Sequence, residues 1–364
     1  MRGGCRPGES YNLHTMRERH LIVDLYQAGS AVALATLVRV DGSSYRPVGA
    51  RLLIAANGEH AGAISGGCLE AEVIRKAKWA VRDGAVMEKY STLFDDATEM
   101  PYGSGCGGTL QILLEPAGTP AFEALMQAMQ ASLRGVTMHV RTTLPNADIV
   151  LDRRVVQGTG EVPFQDETDE TGVIFDEVLE PPQRLIVFGA GEDAQPVVSF
   201  ATQLGWTVWV VDGRPQWARP ERFPDAEKVL VAQSLEGIDL GPRDAVVLMT
   251  HSYTQDRAWL EAALPYKPRY VGLLGARHRS ALLFSEVAEA LRWPLERVCE
   301  DVFAPIGIDL GGQNAEMIAL AIVAEVQAHI AGKAPVSRHM TAATVLEQHR
   351  AGDASRYIQT ECAL

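Results

Sequence analysis

The stretch 184–212 constrains the fold of this chain more than any other. It has two apolar runs separated by a glycine-rich turn and a segment of helical spacing, and few folds accommodate that order. A β-branched apolar run at 185–188 predicts a buried strand, and the glycines at 189–191 predict a tight turn. Small and apolar residues at helical spacing follow over 194–204, and a second apolar run covers 207–211. Strand, glycine turn, helix and strand in this order predict the first unit of a dinucleotide-type Rossmann fold.

Four residues of this unit are candidates for binding a nucleotide or cofactor. Gly189 allows the tight turn, and Gly191 lets a phosphate approach the backbone at the helix N-terminus. Asp212 ends the second strand, where this fold places an acceptor for ribose hydroxyls, and Arg214 follows in the same turn. A Rossmann domain that holds no nucleotide remains the alternative.

The rest of the C-terminal half continues the alternation of strands and helices. Strands are predicted at 228–232, 244–250 and 270–274, and helices at 280–291, at 315–331 and in the segment that ends near 264. This alternation predicts a doubly wound parallel sheet with right-handed crossovers. His251 and Arg277 follow strands at their carboxyl ends, where such sheets bind ligands, and both are candidate cofactor-binding residues. A hydrogen-bonded structural histidine and a solvated helix start are the plainer alternatives.

The N-terminal half favours a β-rich α+β domain. Strands are predicted at 31–40, 50–55, 109–115, 136–143, 148–151 and 173–178, and helices at 16–27, 69–82 and 120–134. Paired prolines at 181–182 continue neither a helix nor a strand ladder, so they mark the boundary. The predicted segments are disordered residues 1–15, an N-terminal domain at 16–180, the Rossmann-like domain at 183–335 and a C-terminal tail at 336–364.

A polar loop is predicted between the first two strands. It carries Ser43 and Ser44, two small hydroxyl residues, and two arginines, Arg46 and Arg51. Backbone N–H groups and guanidinium groups in such a loop can bind an anion. The alternative is a long hairpin turn with solvated arginines.

Two cysteines occur in glycine-rich turns. Cys68 follows Gly66 and Gly67 at the start of a predicted helix, where the partial positive charge of the helix N-terminus favours a thiolate. The second turn has Cys106 between Gly105 and Gly107, just before a predicted strand.

We expect these turns to bring Cys68 and Cys106 to one cleft that faces the Rossmann strand ends. Arg46 and Arg51 are expected near enough to supply positive charge, which would lower the pKa of both thiols. The two cysteines are therefore the candidate catalytic residues, and the four glycines beside them are candidates for binding the cofactor. In the alternative, both cysteines are small buried residues that fit crowded turns.

Composition excludes several classes of function. A chain of 364 residues can form two or three domains with sizeable cores. Its formal charge of -13 argues against broad binding of nucleic acid or anionic membranes. No apolar run approaches the roughly 20 residues that a membrane span needs, and the N-terminal residues lack the apolar core of a secretion signal. Five scattered cysteines predict reduced thiols in a cytoplasmic protein, and no metal site is predicted. Met1 and Met16 both remain candidate start residues.

With these residues in view, the chain resembles the xanthine dehydrogenase accessory family, XdhC/CoxI. In the N-terminal half the resemblance is carried by GSSYRPVGARLLI, GAISGGCLEAEV and GSGCGGTLQILLEP. In the C-terminal half it is carried by LIVFGAGEDAQPVV, VVDGRP, MTHSYTQD, VGLLGARHR and PIGIDLGGQNAEMIALAIVAEV. It covers residues 16–335, and Glu192 stands where the family has a histidine after the glycine turn.

The resemblance implies a molybdenum-cofactor chaperone rather than a turnover enzyme. Such a protein binds molybdopterin, or its dinucleotide form, as cargo and supports its sulfuration by a cysteine desulfurase. It then delivers the cofactor to a xanthine dehydrogenase-type molybdenum hydroxylase. Glycine turns, arginines and a helix N-terminus suit phosphate and molybdate oxygens, while thiolates suit soft-metal and sulfur chemistry. A homo-oligomer is also expected.

Two other functions remain open at this point. The Rossmann unit alone is compatible with an NAD(P)-binding oxidoreductase, or with a regulatory module that senses a nucleotide. Neither function explains why two cysteines lie in glycine-rich turns of the first domain.

Overall fold

The chain divides into two compact units between Pro181 and Pro182, each with its own hydrophobic cores. The structure is a computed structural model that describes residues 16–67, 69–91, 108–158 and 173–334. No helix within these ranges is both long enough and apolar enough to cross a membrane.

The N-terminal unit is built on a five-stranded antiparallel sheet. Its strands are β1 (Ala31–Asp41), β2 (Arg51–Ala55), β3 (His60–Gly62), β4 (Val86–Ser91) and β5 (Thr109–Pro116). They lie in the order β3-β2-β1-β5-β4. β1 is the central strand, and its residues at 33–38, all apolar except Thr36, are buried on both faces. The loop between β1 and β2 leaves the sheet at one end of this strand.

Helices cover both faces of that sheet. They are α1 (Met16–Gln27), α2 (Glu70–Ala80) and α3 (Pro120–Leu133). α2 packs with Leu52 on one face, while α1 and α3 pack with Leu53 on the other. Adjacent residues enter opposite cores because side chains alternate along a strand.

A second, smaller sheet packs against α3. Its antiparallel strands lie in the order β7-β6-β8 and are β6 (Met138–Thr143), β7 (Asp152–Gln157) and β8 (Ile174–Leu179). The strand predicted at 148–151 is wrong. The Asn146 side chain accepts the N–H groups of Asp148 and Ile149, at 2.9 Å each, and closes a turn there instead.

The C-terminal unit contains the predicted parallel sheet, which is confirmed. Its five strands are β9 (Arg184–Phe188), β10 (Thr207–Asp212), β11 (Lys228–Val231), β12 (Ala245–Leu248) and β13 (Tyr270–Leu273). The order is β11-β10-β9-β12-β13, and every pair is parallel. The chain runs from β9 towards one edge and then crosses to β12, so the carboxyl ends of β9 and β12 lie at the topological switch point.

Helices lie on both faces of the parallel sheet. They are α4 (Ala194–Gln203), α5 (Tyr253–Ala263), α6 (Arg277–Leu291), α7 (Leu295–Asp301) and α8 (Ala315–Ile330). α4 and α8 share one core, while α5, α6 and α7 share the other. α6 begins at Arg277 rather than at the predicted residue 280, so Arg277 is the first residue of a helix at the carboxyl end of β13.

Candidate functional site

Loops of the N-terminal unit meet beyond the end of β1. The aromatic ring of Tyr45 lies against Gly66, since a Cβ built on that glycine would stand 3.3 Å from Cγ of the ring. Gly108, which precedes β5, packs on the backbone of Ser43 so closely that a Cβ would overlap the Ser43 carbonyl oxygen. The β1–β2 loop therefore contacts both glycine-rich segments, and only glycine permits so close an approach of two backbones.

A buried carboxylate organises the first glycine turn. One oxygen of Glu70, the first residue of α2, accepts the N–H groups of Ile64 at 3.1 Å and Ser65 at 2.7 Å, and the other accepts the Ser65 hydroxyl. The Ser65 Oγ in turn accepts the N–H groups of Leu69 and Gly67. Burial raises the pKa of Glu70, but these hydrogen bonds outweigh it and hold the pKa below its usual range. An ionised carboxylate thus fixes the turn.

Arg46 lies in the β1–β2 loop, whereas Arg51, predicted in the same loop, is the first residue of β2; both pair with carboxylates of the N-terminal unit. Arg46 pairs with Glu18 of α1, and burial raises the pKa of Glu18 despite the opposing effect of that arginine. Arg51 is buried, pairs with Glu177 of β8 and donates to the Gly49 carbonyl at 3.0 Å. Arg46 therefore ties the loop to α1, and Arg51 ties the start of β2 to β8.

The remaining candidates of this region divide into two groups. Ser44 accepts the backbone N–H of Arg46 at 3.2 Å, and Gly67 has the left-handed φ of 106° that favours glycine. Gly66 and Gly67 are both exposed. The candidates that lie outside the described residues are Cys68, Gly105, Cys106 and Gly107. The shared cleft for the two cysteines stays a prediction.

Asp212 holds the Rossmann glycine turn. One of its oxygens accepts the backbone N–H and the Nε–H of Arg214, both at 2.9 Å. The other accepts the N–H of Ala190 at 2.8 Å and Nη2–H of Arg214 at 2.7 Å. Burial raises the pKa of Asp212, but the bonds from Arg214 and Ala190 outweigh it and lower the pKa. A carboxylate has about four acceptor positions, and here all are filled. Asp212 therefore fixes the turn in this structure, and its contact with a ribose stays a prediction.

Arg222 clamps the same turn from the other side. It donates to the carbonyl of Ala190 at 2.6 Å and to that of Trp217 at 2.9 Å, and it pairs with Glu192 at 2.7 Å. The guanidinium also lies 4.6 Å from the centre of the Trp217 ring. Arg214 lies over the same ring at 5.3 Å, so an aromatic and two cations cover this flank of the turn.

A carboxylate of the protein lies beside Gly191. Oδ1 of Asp193 is so near that a Cβ on Gly191 would overlap it, and Oδ2 lies 2.8 Å from Nε2 of His251. His251 has a left-handed φ of 60°, a conformation that costs a non-glycine residue of order 1 kcal/mol. A phosphate at this helix N-terminus would meet the negative charge of Asp193, which opposes its binding.

The carboxyl ends of β12 and β13 are joined by Asp256. It is buried and accepts the N–H and hydroxyl of Thr250, while Arg279 pairs with it at 2.5 Å and also donates to the Leu274 carbonyl. Arg277, at the start of α6, lines a cavity of about 290 Å³ that is bounded by the loop 305–312 and the start of α8. Among the described residues, no group of three or more His, Cys, Asp or Glu side chains could hold a metal ion.

The sequence reasoning missed three residues that shape these turns. Glu70 carried a weak local signal, because acidic residues are favoured in the first turn of a helix. Asp193 carried only the general preference of acidic residues for helix N-termini. Arg222 had no local signal, since the Ala190 carbonyl to which it donates lies 32 positions earlier in the chain.

Comparisons with known proteins agree with this two-unit architecture. The family model described as the XdhC and CoxI family matches residues 25–91, and the XdhC Rossmann domain matches 185–326. A crystal structure described as a xanthine dehydrogenase from Bacillus halodurans superposes with a TM-score of 0.75 at 28% sequence identity. The match covers 90% of this chain and 99% of that one.

Two curated relatives extend over most of the chain. A Bacillus subtilis protein described as a probable xanthine dehydrogenase subunit is 28% identical over 86% of this chain and 96% of its own length. The molybdenum cofactor insertion chaperone PaoD of Escherichia coli is 25% identical, over 84% of this chain and 85% of its own. With both of the family's domains present in one polypeptide, the chain belongs to the XdhC/CoxI family.

Proposed function

We propose that this protein is a molybdenum-cofactor chaperone. It binds molybdopterin or the dinucleotide form as cargo, stabilises it, supports its sulfuration by a cysteine desulfurase and delivers it to a xanthine dehydrogenase-type hydroxylase. Membership of the XdhC/CoxI family supports this proposal. So does the similarity to one relative named as a cofactor insertion chaperone and to another named as part of a probable xanthine dehydrogenase.

The observation that carries the proposal is the meeting of loops beyond β1. Tyr45 contacts Gly66, which precedes Cys68 by two positions, and Ser43 contacts Gly108, which follows Cys106 by two positions. One loop thus contacts described residues that flank both cysteine-bearing segments. This supports a single cargo site in the N-terminal unit, where glycines leave room for a bulky ligand and thiols offer soft ligands or sulfur acceptors.

The Rossmann turn favours the chaperone over an NAD(P)-dependent oxidoreductase. A dinucleotide in the usual position would find the acceptor positions of Asp212 filled and the carboxylate of Asp193 beside Gly191. Both features oppose the ribose and phosphate contacts on which dinucleotide binding in this fold depends.

The proposal is tested by isolating the cargo. The protein is produced in a molybdenum-replete host and purified without oxygen; bound pterin is then oxidised to a fluorescent product and molybdenum is measured by elemental analysis. We expect pterin and molybdenum in about equal amounts, because the proposed cargo carries one molybdenum on one pterin-dithiolene ligand. NAD(P) bound with turnover of a small substrate, and no pterin, would contradict the proposal.

Matched cysteine variants test the transfer step. Cys68→Ser and Cys106→Ser should lower cofactor retention or activation of a purified apo-hydroxylase, because serine keeps the size of cysteine but is a poor soft ligand. Cys299→Ser is the control, since Cys299 is an exposed thiol of the Rossmann unit. A Cys68→Ser/Cys106→Ser double variant that still loads the hydroxylase with active, sulfurated cofactor would remove both cysteines from the proposal.

A further inference from the structure

Tyr45 presents one face of its ring to solvent. The residue is 72% exposed, although it lies in the loop that contacts both glycine-rich segments. A Cβ built on Gly66 would stand 3.3 Å from Cγ, 3.4 Å from Cδ1 and 3.7 Å from Cδ2 of the ring. A point this evenly placed lies over the face of a ring rather than at its edge. One face therefore rests on the glycine turn, and the opposite face is open.

The backbone on both sides of Tyr45 is held in place. On one side, Ser43 packs against Gly108. On the other, Arg46 donates its backbone N–H to the Ser44 hydroxyl and pairs through its guanidinium with Glu18 of α1. A tyrosine has only two side-chain torsions, so a ring on such a backbone loses little conformational freedom when a ligand covers it. This ring is therefore pre-organised for contact with a flat surface.

We infer that the open face of Tyr45 stacks on the pterin ring of the cargo. The inference rests on the proposed function, which supplies a flat heteroaromatic ligand at this loop. Gly66 and Gly67 beside the ring are exposed and carry no side chain, so a planar group can approach both the ring and the turn. Stacking on an aromatic side chain tolerates any flat heterocycle, because each has a π-face. Tyr45 then positions the pterin and leaves the metal end of the cofactor free for the chemistry of the thiols.

Three substitutions at this position separate stacking from other roles. Tyr45→Phe and Tyr45→Trp keep an aromatic face, whereas Tyr45→Leu keeps apolar bulk without one. Each variant is purified anaerobically from a molybdenum-replete host, and its pterin content is measured after dilution. The dissociation constant for pterin-6-carboxylate, measured by quenching of its fluorescence, gives a second readout that does not require the intact cofactor.

We expect the leucine variant to lose pterin on dilution and to bind pterin-6-carboxylate roughly 5- to 150-fold more weakly, the range for loss of one base–aromatic stack. The phenylalanine and tryptophan variants should stay within about threefold of the wild type on the same scale. Because the side chain is exposed, the melting temperature of Tyr45→Leu should change by less than about 2 °C.

The outcomes distinguish the inference from the proposed function. A wild-type protein that holds no pterin would contradict both the inference and the proposed function. A wild type that holds pterin, with a leucine variant that holds it equally well, would overturn the inference alone. So would a phenylalanine variant as weak as the leucine variant, which would indicate a hydroxyl contact. A leucine variant that keeps its pterin but fails to activate the hydroxylase would place Tyr45 against the client protein and overturn the stacking role.

Discussion

The glycine turns of the two units are built alike but present different surfaces. Each turn lies between a strand and a helix N-terminus, and in each a buried carboxylate accepts at least one backbone N–H of the turn. Glu70 does so in the N-terminal unit and Asp212 in the Rossmann unit. In both, burial alone would raise the pKa, and hydrogen bonds outweigh it.

The surroundings of the two turns differ. Beside the Rossmann turn, the carboxylates of Asp212 and Glu192 each pair with an arginine of the same unit, and Asp193 contacts His251. Trp217 covers one flank of the turn. Beside the N-terminal turn, the glycines are exposed and one face of the Tyr45 ring is exposed to solvent. The glycine pattern thus determines the path of the backbone through the turn. Side chains from other parts of the chain determine whether a ligand can reach that turn.

The largest expected effect is a loss of stability on substituting Gly189, which packs against backbone, compared with Gly66, which packs against a side chain. Gly189 has φ 119°, and a Cβ there would overlap the carbonyl of Met249. Gly189→Ala should therefore lower the free energy of unfolding of the Rossmann unit by about 3–5 kcal/mol, the sum of backbone strain and overpacking. Gly66→Ala meets only the exposed ring of Tyr45 and should cost less than about 1 kcal/mol.

Urea unfolding measures both variants. Tryptophan fluorescence follows the Rossmann unit, which holds every tryptophan except Trp79, and far-ultraviolet circular dichroism follows the whole chain. Equal losses in the two variants would mean that Tyr45 is not free to move away from Gly66, and that the two turns are equally tightly packed.

Local patterns were enough to predict the parallel sheet, because each strand of the Rossmann unit is an apolar run of its own. The strand β4 was missed because VMEKYS has no clear alternation of apolar and polar residues, and the helix α7 because seven residues give too little of a helical period. Side-chain contacts between distant parts of the chain were missed for a different reason. Arg51 finds Glu177 at a separation of 126 positions, and no local signal predicts such a partner.

The next effect in size concerns the two carboxylates that hold the turns. Asp212→Asn and Glu70→Gln should each lower the free energy of unfolding at pH 7 by about 1–3 kcal/mol, because each loses hydrogen bonds to a charged, buried acceptor. The pKa of each carboxyl is lowered by folding, so its contribution is present above the unfolded pKa of about 4 and is lost as pH falls through the folded pKa.

Urea midpoints between pH 7 and pH 3 check this prediction. The wild type should lose stability on acidification more steeply than either amide variant, whose replaced group no longer titrates. Asp83→Asn serves as the control, because its side chain is 85% exposed. If acidification destabilises the wild type and both amide variants with the same slope, folding does not lower the pKa of these two carboxyl groups.

The smallest expected effect concerns the carboxylate beside Gly191. The His251 side chain that pairs with Asp193 is 59% exposed, so Asp193→Ser should change the free energy of unfolding by less than about 1 kcal/mol. Removing this charge should also raise the affinity for ADP-ribose, by about fivefold for one repulsion of ~1 kcal/mol at 4 Å in water. Calorimetric titration measures the change, with Glu192→Ser as control, because Glu192 is turned towards Arg222. A wild type that binds ADP-ribose as tightly as Asp193→Ser would show that the turn is already open to phosphate, and the contrast between the two turns would fail.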